Sequence, residues 1–224
     1  MRISDLLQDT LKVQIEPYSL PILNSDKKTI WEESEGKTPK QDENVDSLTL
    51  TSSKEVVLSK ITPKGTDDST VLAQAPKPDI TIAGENKKAG IIVDIDTNVL
   101  YTYDSDGNPT KAYLIASGKK STPTNRGIRI VTHKETYPYR GAPQSSKRRR
   151  APKDYGPFIV CLNKIDPKTG EQSSTGEFIH GCRSYHDTFE TDPKRYVSHG
   201  CMRMDNEAIV EVKEVKAGTI VIVK

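Results

Sequence analysis

The stretch IIVDIDTNVLYTY, residues 91–103, reads as a strand, a turn and a returning strand. Residues 91–95 and 99–103 are rich in β-branched and aromatic side chains, whereas the intervening Asp-Thr-Asn is typical of a turn. Further apolar runs of strand length follow, bounded by turn residues, at 111–117, 128–132, 158–162, 178–179 and 219–223. Closely spaced strands of this kind predict a mainly β domain, either a β-sandwich or a barrel-like sheet.

Helical signals are few in this part of the chain. Residues 207–215 predict one short helix, with Asp205 or Asn206 as its N-cap and Gly218 as the residue that ends the helical pattern. We therefore expect no more than one or two short helices among the strands.

Residues 1–88 have a different character. They carry 12 Lys and Arg against 15 Asp and Glu, and their apolar residues stand in short, scattered groups. Such a composition buries too little apolar surface to offset the entropy of ordering. The pattern predicts a polar, flexible and largely irregular N-terminal segment over residues 1–88, with a short amphipathic helix at residues 1–14, in front of a folded domain over residues 89–224.

Charge and composition exclude some classes of protein. Residues 89–224 carry 21 basic against 16 acidic residues, an excess too small to indicate a nucleic-acid partner. No run of 18 apolar residues occurs, so no membrane span is predicted. The N-terminus lacks the apolar region of a secretory signal. Nothing in the sequence indicates an oligomeric state.

The residues with chemical potential lie between residues 180 and 203. Cys201 directly follows Ser198-His199-Gly200, and 17 residues separate His180 from Ser198. A thiol, an imidazole that can take its proton and glycine-flanked N–H groups that can hold an oxyanion are the components of thiol acyl transfer. We also expect Cys201 to lie close to the N-terminus of the predicted helix, which would favour the thiolate.

Two other interpretations fit the same residues. Most single cysteines are small buried hydrophobes, so the cysteine and the histidines can be structural. The pattern His-Gly-Cys also occurs twice, at residues 180–182 and 199–201. Two histidines and two cysteines can bind zinc tetrahedrally, which leaves a Cys2His2 zinc protein as an alternative.

The segment resembles the catalytic signature of L,D-transpeptidases of the YkuD type. That signature is a histidine, a spacer, Ser or Thr followed by His-Gly-Cys, a hydrophobic residue, and Arg or Asn; here the last two are Met202 and Arg203. The resemblance extends over about residues 90–224 and implies a β-sandwich-like catalytic domain.

The resemblance implies a role for each site residue. Cys201 would be the nucleophile, and His180 the general base, oriented by the carbonyl of Gly181. The N–H groups of His199, Gly200 and Cys201 would form the oxyanion hole. The side chains of Ser198, His199 and Arg203 would support the loop and contact the substrate.

The implied reaction acts on peptidoglycan stem peptides and needs no metal or other cofactor. Cys201 would attack the L-centre carbonyl of the diamino acid in a stem tetrapeptide, release D-alanine through a thioester, and pass the acyl group to an amine or to water. Such enzymes act in the periplasm or cell wall and are acylated by carbapenems. Since no signal peptide is recognisable, we expect a phage-encoded enzyme or a mis-set start. The alternative in another class is a non-catalytic wall-binding or virion structural module.

Two further features stand near the site. Cys182 follows His180 by two residues, so a regulatory disulfide with Cys201 is a hypothesis. The basic run of residues 145–153 predicts a solvated loop or a clamp for anionic wall polymer.

Overall fold

The computed structural model describes residues 55–136 and 154–224. Its strands are β1 (Asp79–Ile82), β2 (Glu85–Asp94), β3 (Val99–Tyr103), β4 (Pro109–Leu114), β5 (Ser117–Gly118), β6 (Gly127–Thr136), β7 (Phe158–Ile165), β8 (Gln172–His180), β9 (Tyr196–Ser198), β10 (Met202–Arg203) and β11 (Ile220–Val223). Its helices are α1 (Ser69–Leu72), α2 (Tyr185–Phe189) and α3 (Asn206–Glu211), the last followed by a 3-10 turn over Val212–Glu214. The mainly β class is thereby confirmed.

Nine of these strands form one mixed sheet. Its order is β10-β8-β7-β6-β11-β2-β3-β4, and β1 adds to β2. Most neighbours are antiparallel, but β11 runs parallel to β2 and β10 runs parallel to β8. β5 and β9 form a separate parallel pair. The sheet therefore places the ends of β8 and β10, which carry predicted site residues, side by side at one edge.

The sheet is covered on both faces. Along β11, Val221 and Val223 belong to one hydrophobic cluster, whereas Ile220 and Ile222 pack with another. Because successive side chains of a strand point to opposite faces, the two clusters lie on opposite sides of the sheet. This explains why β11 is an uninterrupted apolar run and not an alternating one.

Helix α3 covers the first face. Asp205 caps it by accepting hydrogen bonds from the N–H groups of Glu207 and Ala208. Ala208 and Ile209 are buried in the cluster that also contains Met202 and Met204. The strand β10 and the helix that follows it are thus anchored in the same core.

Residues 55–88 cover part of the second face, which differs from the expectation of a flexible segment. Ile61, Val71 and Ile82 are 3%, 0% and 4% exposed and pack with residues of β2, β3 and β4. The physical reason is that these strands present an apolar second face, including Ile92 and Tyr101, which the preceding chain buries.

Residues 55–58 are helical, whereas β1 pairs with β2 at the edge of the sheet. The segment therefore holds regular structure despite its polar composition. The helix expected at residues 1–14 and the basic run of residues 145–153 lie outside the described residues. The division of the chain at residue 88 into two functional parts stays a prediction.

Replacement of one buried side chain tests the packing of residues 55–88. We expect Val71→Ala to lower the free energy of unfolding by about 2 kcal/mol, because it leaves a cavity in the second core. Val56→Ala is the matched control: Val56 is 58% exposed, and surface substitutions of this kind stay within about 0.5 kcal/mol. Urea denaturation measures both. Equal stabilities for the two variants would show that residues 55–88 do not pack on the sheet.

Candidate active site

Five of the seven predicted site residues line one cavity of about 370 Å³. They are His180, Ser198, His199, Cys201 and Arg203. The other two, Gly181 and Gly200, are buried in the adjoining backbone. The fold therefore brings together residues that are more than twenty positions apart in sequence.

His180 is fixed by its place at the end of β8. It pairs with Ile159 of β7 on one side and with Arg203 of β10 on the other. Its Nδ1 atom lies 2.5 Å from the carbonyl oxygen of Gly181. Because a carbonyl only accepts hydrogen bonds, Nδ1 carries the proton and Nε2 is left as the basic nitrogen.

The environment of His180 keeps the imidazole neutral. The residue is 3% exposed, and burial lowers its pKa to about 3. The hydrogen bond to Gly181 opposes this shift, whereas the positive charge of Arg203 adds to it. The ring of Tyr155 packs edge-on against the imidazole, with 4.7 Å between ring centroids. A neutral imidazole with a basic Nε2 can accept a proton.

Asn206 stabilises the turn that contains Gly181, the hydrogen-bond partner of His180. Its Oδ1 atom accepts the N–H of Cys182 at 2.9 Å. A Cβ atom at Gly181 would lie 2.4 Å from the same oxygen, so only glycine fits at this position. The first residue of α3 thereby sets the direction of the Gly181 carbonyl.

The turn before Cys201 is closed by Ser198. The Ser198 hydroxyl donates to the carbonyl of Cys201 at 2.6 Å and accepts the N–H of Gly200 at 3.1 Å. Gly200 has a φ of 112°, a conformation that other residues rarely adopt. Ser198 is fully buried, so its hydroxyl shapes the turn.

This arrangement differs in one respect from what the resemblance implies. The N–H of Gly200 is engaged by Ser198 and therefore does not point freely at a substrate oxygen. The N–H groups of His199 and Cys201 are the remaining members of the implied oxyanion hole. Gly200 contributes its backbone conformation.

A second loop holds the same turn from the opposite side. The Thr124 hydroxyl donates to the carbonyl of Gly200 at 2.9 Å and accepts the N–H of Gly118. The Thr122 hydroxyl donates to the carbonyl of Ser198 at 3.2 Å. Since these carbonyls belong to the turn before Cys201, both threonines restrain the position of the thiol.

Arg203 brings a guanidinium to the cavity. Its backbone exchanges two hydrogen bonds with Ala116, which fixes the strand. Its buried Nε atom has no hydrogen-bond partner among the described residues. The same cavity is lined by Asp154, Arg183 and Asp187, so groups of both charge signs surround the thiol.

Cys201 does not lie at a helix N-terminus as expected. The short strand β10 separates it from α3, whose first N–H groups are taken by Asp205. The helix dipole therefore acts on Asp205 and not directly on the thiol.

Cys182 does not line the cavity. It is 3% exposed, and burial raises the pKa of its thiol. Within residues 55–136 and 154–224, one group of His, Cys, Asp and Glu side chains lies close enough together to hold a metal ion. That group contains no residue of either His-Gly-Cys segment. The Cys2His2 zinc alternative is therefore not supported by the geometry.

Four residues around the site were given no part in it from the sequence: Tyr155, Asn206, Thr122 and Thr124. Tyr155 gave no signal, and Asn206 was considered only as a candidate N-cap of the last helix. Thr122 and Thr124 belong to a Pro-containing loop before β6 whose composition indicates only a turn.

The buried imidazole predicts a pH dependence of stability. The ordinary pKa of His180 is 6.5, whereas its folded pKa is about 3. Between these two pH values the unfolded chain binds a proton at His180, whereas the folded chain does not. The free energy of unfolding therefore falls as the pH drops from 6.5 towards 3. We expect His180→Gln to lose this part of the pH dependence in urea denaturation. Parallel curves for wild type and variant would contradict a buried neutral imidazole.

The family model of the L,D-transpeptidase catalytic domain, YkuD, matches residues 88–223. Among curated proteins, none matches the sequence.

Solved structures with a similar fold include a Bdellovibrio bacteriovorus protein, 18% identical with a TM-score of 0.44, covering 66% of this chain and 51% of that one. The Enterococcus faecium L,D-transpeptidase is 23% identical with a TM-score of 0.41, covering 62% and 50%. Its ertapenem-acylated catalytic domain is 24% identical with a TM-score of 0.44, covering 61% and 96%. The chain spans about half the length of the first two. Because the family model matches more than half of the sequence, the chain belongs to the L,D-transpeptidase catalytic domain family.

Proposed function

We propose that this protein is a cysteine acyltransferase that modifies peptidoglycan stem peptides. The observation that carries the proposal is the joint placement of Cys201 and His180 on one cavity, with His180 Nδ1 held by the Gly181 carbonyl. This leaves the second imidazole nitrogen as the proton acceptor for a neighbouring thiol.

The first step is acylation of Cys201. Its Sγ attacks the L-centre carbonyl of the diamino acid in a stem tetrapeptide, and the thiol proton moves to Nε2 of His180. Burial and the charge of Arg203 disfavour a protonated His180. Proton transfer is therefore coupled to formation of the S–C bond instead of preceding it as a stable ion pair.

Collapse of the tetrahedral intermediate releases D-alanine. The C–N bond breaks, and the leaving amine takes the proton from Nε2 of His180. The N–H groups of His199 and Cys201 stabilise the oxyanion, and Ser198 and Thr124 hold the turn that carries them. A thioester on Cys201 results.

The second step transfers the acyl group. An amine from a neighbouring stem would give a 3-3 cross-link, and water would give L,D-carboxypeptidase activity. In either case His180 takes a proton from the attacking group as the thiolate leaves. We place this activity in the periplasm or cell wall, where the stem peptides lie.

The charges of the cavity suit a stem peptide that ends in a diamino acid and D-alanine. Such a substrate carries carboxylates and a free amine. The guanidinium of Arg203, which lines the cavity, offers donors to a carboxylate. Asp154 and Asp187 offer acceptors to the amine. A cavity lined only by basic residues would favour anionic groups alone.

A non-catalytic wall-binding module is the rival function. It would use the same cavity without needing His180 to present a basic nitrogen. Incubation with disaccharide tetrapeptide separates the two, since only the enzyme releases D-alanine. No release by protein with reduced Cys201 would favour the binding module.

Acylation by a carbapenem tests the catalytic pair. We expect intact-mass spectrometry to show one adduct on the wild-type protein and none on Cys201→Ala. His180→Ala should slow acylation by about 10²–10⁴-fold, because proton transfer is lost. His186→Ala is the control, since His186 is exposed and outside the cavity; it should react at the wild-type rate. An adduct on Cys201→Ala would place the nucleophile elsewhere.

Substitution of Arg203 tests substrate binding. We expect Arg203→Met to lower kcat/KM for D-alanine release about 10–100-fold, as befits a lost hydrogen bond to a charged group. The loss should appear mainly in KM if the guanidinium binds a ground-state carboxylate. Lys216→Met removes an exposed charge outside the cavity and should leave both constants unchanged. An unchanged KM in Arg203→Met would show that this side chain does not bind the substrate.

A further inference from the structure

We infer that His133, Glu135 and Cys161 form a binding site for a divalent metal ion of the zinc class. The imidazole nitrogen, the carboxylate oxygen and the sulfur of these residues all lie within 4.8 Å of one another. None of the three lines the cavity that contains Cys201. The site is therefore separate from the proposed acyltransferase site and does not depend on it.

An irregularity in β6 brings the three residues to one face of the sheet. The register between β6 and β7 shifts between Val131 and His133, so that Val131 faces Leu162 and His133 faces Cys161. Thr132 is the extra residue. Directly opposed residues point to the same face, so the bulge turns His133 towards Cys161. Glu135, two positions further along the strand, shares that face.

Two of the distances within the group are compatible with ligands that share one metal ion. His133 Nε2 lies 3.4 Å from Glu135 Oε1, and Cys161 Sγ lies 3.8 Å from the same oxygen. A good hydrogen bond between nitrogen and oxygen is closer, at about 2.7–3.2 Å. From tetrahedral geometry and usual zinc bond lengths, two donors on one zinc ion lie roughly 3.3–3.8 Å apart.

The tautomer of His133 supports the same conclusion. The Thr132 hydroxyl donates its one hydrogen to the carbonyl of Cys161 at 3.2 Å. The contact of 2.9 Å between Thr132 Oγ1 and His133 Nδ1 is then donated by Nδ1. In a neutral imidazole, Nε2 therefore presents a lone pair to the Glu135 carboxylate. A lone pair on Nε2 is what metal ligation by a histidine requires.

The group is buried on the side of Cys161 and exposed on the side of His133. Cys161 is 3% exposed, and the Glu135 side chain is 16% exposed. The His133 side chain is 61% exposed, so an ion can enter from its side. The hydroxyl of Thr132 orients the imidazole as outer-shell groups do in metal sites. Sulfur, nitrogen and oxygen ligands together are typical of zinc and leave a fourth position for water.

Binding couples to loss of one proton. The S–H bond of Cys161 breaks, its proton goes to solvent, and a sulfur–metal bond forms without change in the oxidation state of the metal. His133 and Glu135 bind through Nε2 and Oε1. The ion would join β6 to β7 across the bulge and stabilise that part of the sheet.

Zinc titration of the Cys201→Ala protein tests the site, because this background removes the reactive thiol as a competing ligand. We expect one zinc ion per chain by calorimetry, and a thiolate-to-metal charge-transfer absorption when cobalt replaces zinc. His133→Gln, Glu135→Gln and Cys161→Ser should each weaken binding at least about tenfold. His133→Gln changes an exposed side chain, so its folding is not in question.

His186→Gln and Cys182→Ser, made in the same background, are the matched controls and should bind zinc like their parent. Absence of zinc binding in the Cys201→Ala protein would overturn the proposal. Binding that survives His133→Gln and Cys161→Ser would overturn it as well, since the ion would then sit elsewhere.

Discussion

Burial of a neutral imidazole at the end of β8 is the constraint on which the site depends. His180 lies between β7 and β10, where a charged ring would lose its hydration without a compensating anion. The single hydrogen bond to Gly181 satisfies Nδ1 and fixes the tautomer. The cost of charging this ring keeps the imidazole neutral. The same burial requires Gly181, Asn206 and Tyr155 to fit closely around the ring.

Hydrogen bonds from hydroxyl groups hold the turn that carries the thiol of Cys201. Ser198 closes the turn from within, whereas Thr122 and Thr124 hold it from the loop before β6. The site therefore combines an imidazole placed by core packing with a thiol on a turn that is held by hydrogen bonds. Side chains of both charge signs line the cavity that the two residues share.

Much of the fold could be predicted from local patterns, because apolar runs bounded by turn residues mark β3, β6 and β7. The grouping of the site residues followed from a specific signature, since its spacing matches the ends of β8 and β10. The ordering of residues 55–88 could not be predicted: Ile61, Val71 and Ile82 stand in short, scattered apolar groups, and it is the second apolar face of the sheet that makes their burial favourable. The bulge at Thr132 could not be predicted from the sequence either, because a register shift depends on the partner strand.

The position of β11 has a consequence for biosynthesis. This strand follows all the others in sequence, yet it lies between β2 and β6, in the middle of the sheet. Until residues 220–223 have left the ribosome, the nascent chain holds two half-sheets with open edges. Pairing of β11 with β2 also spans most of the described chain, and such distant contacts form slowly. Exposed strand edges attract other chains, so the edges of β2 and β6 stay open to wrong pairing until β11 is in place.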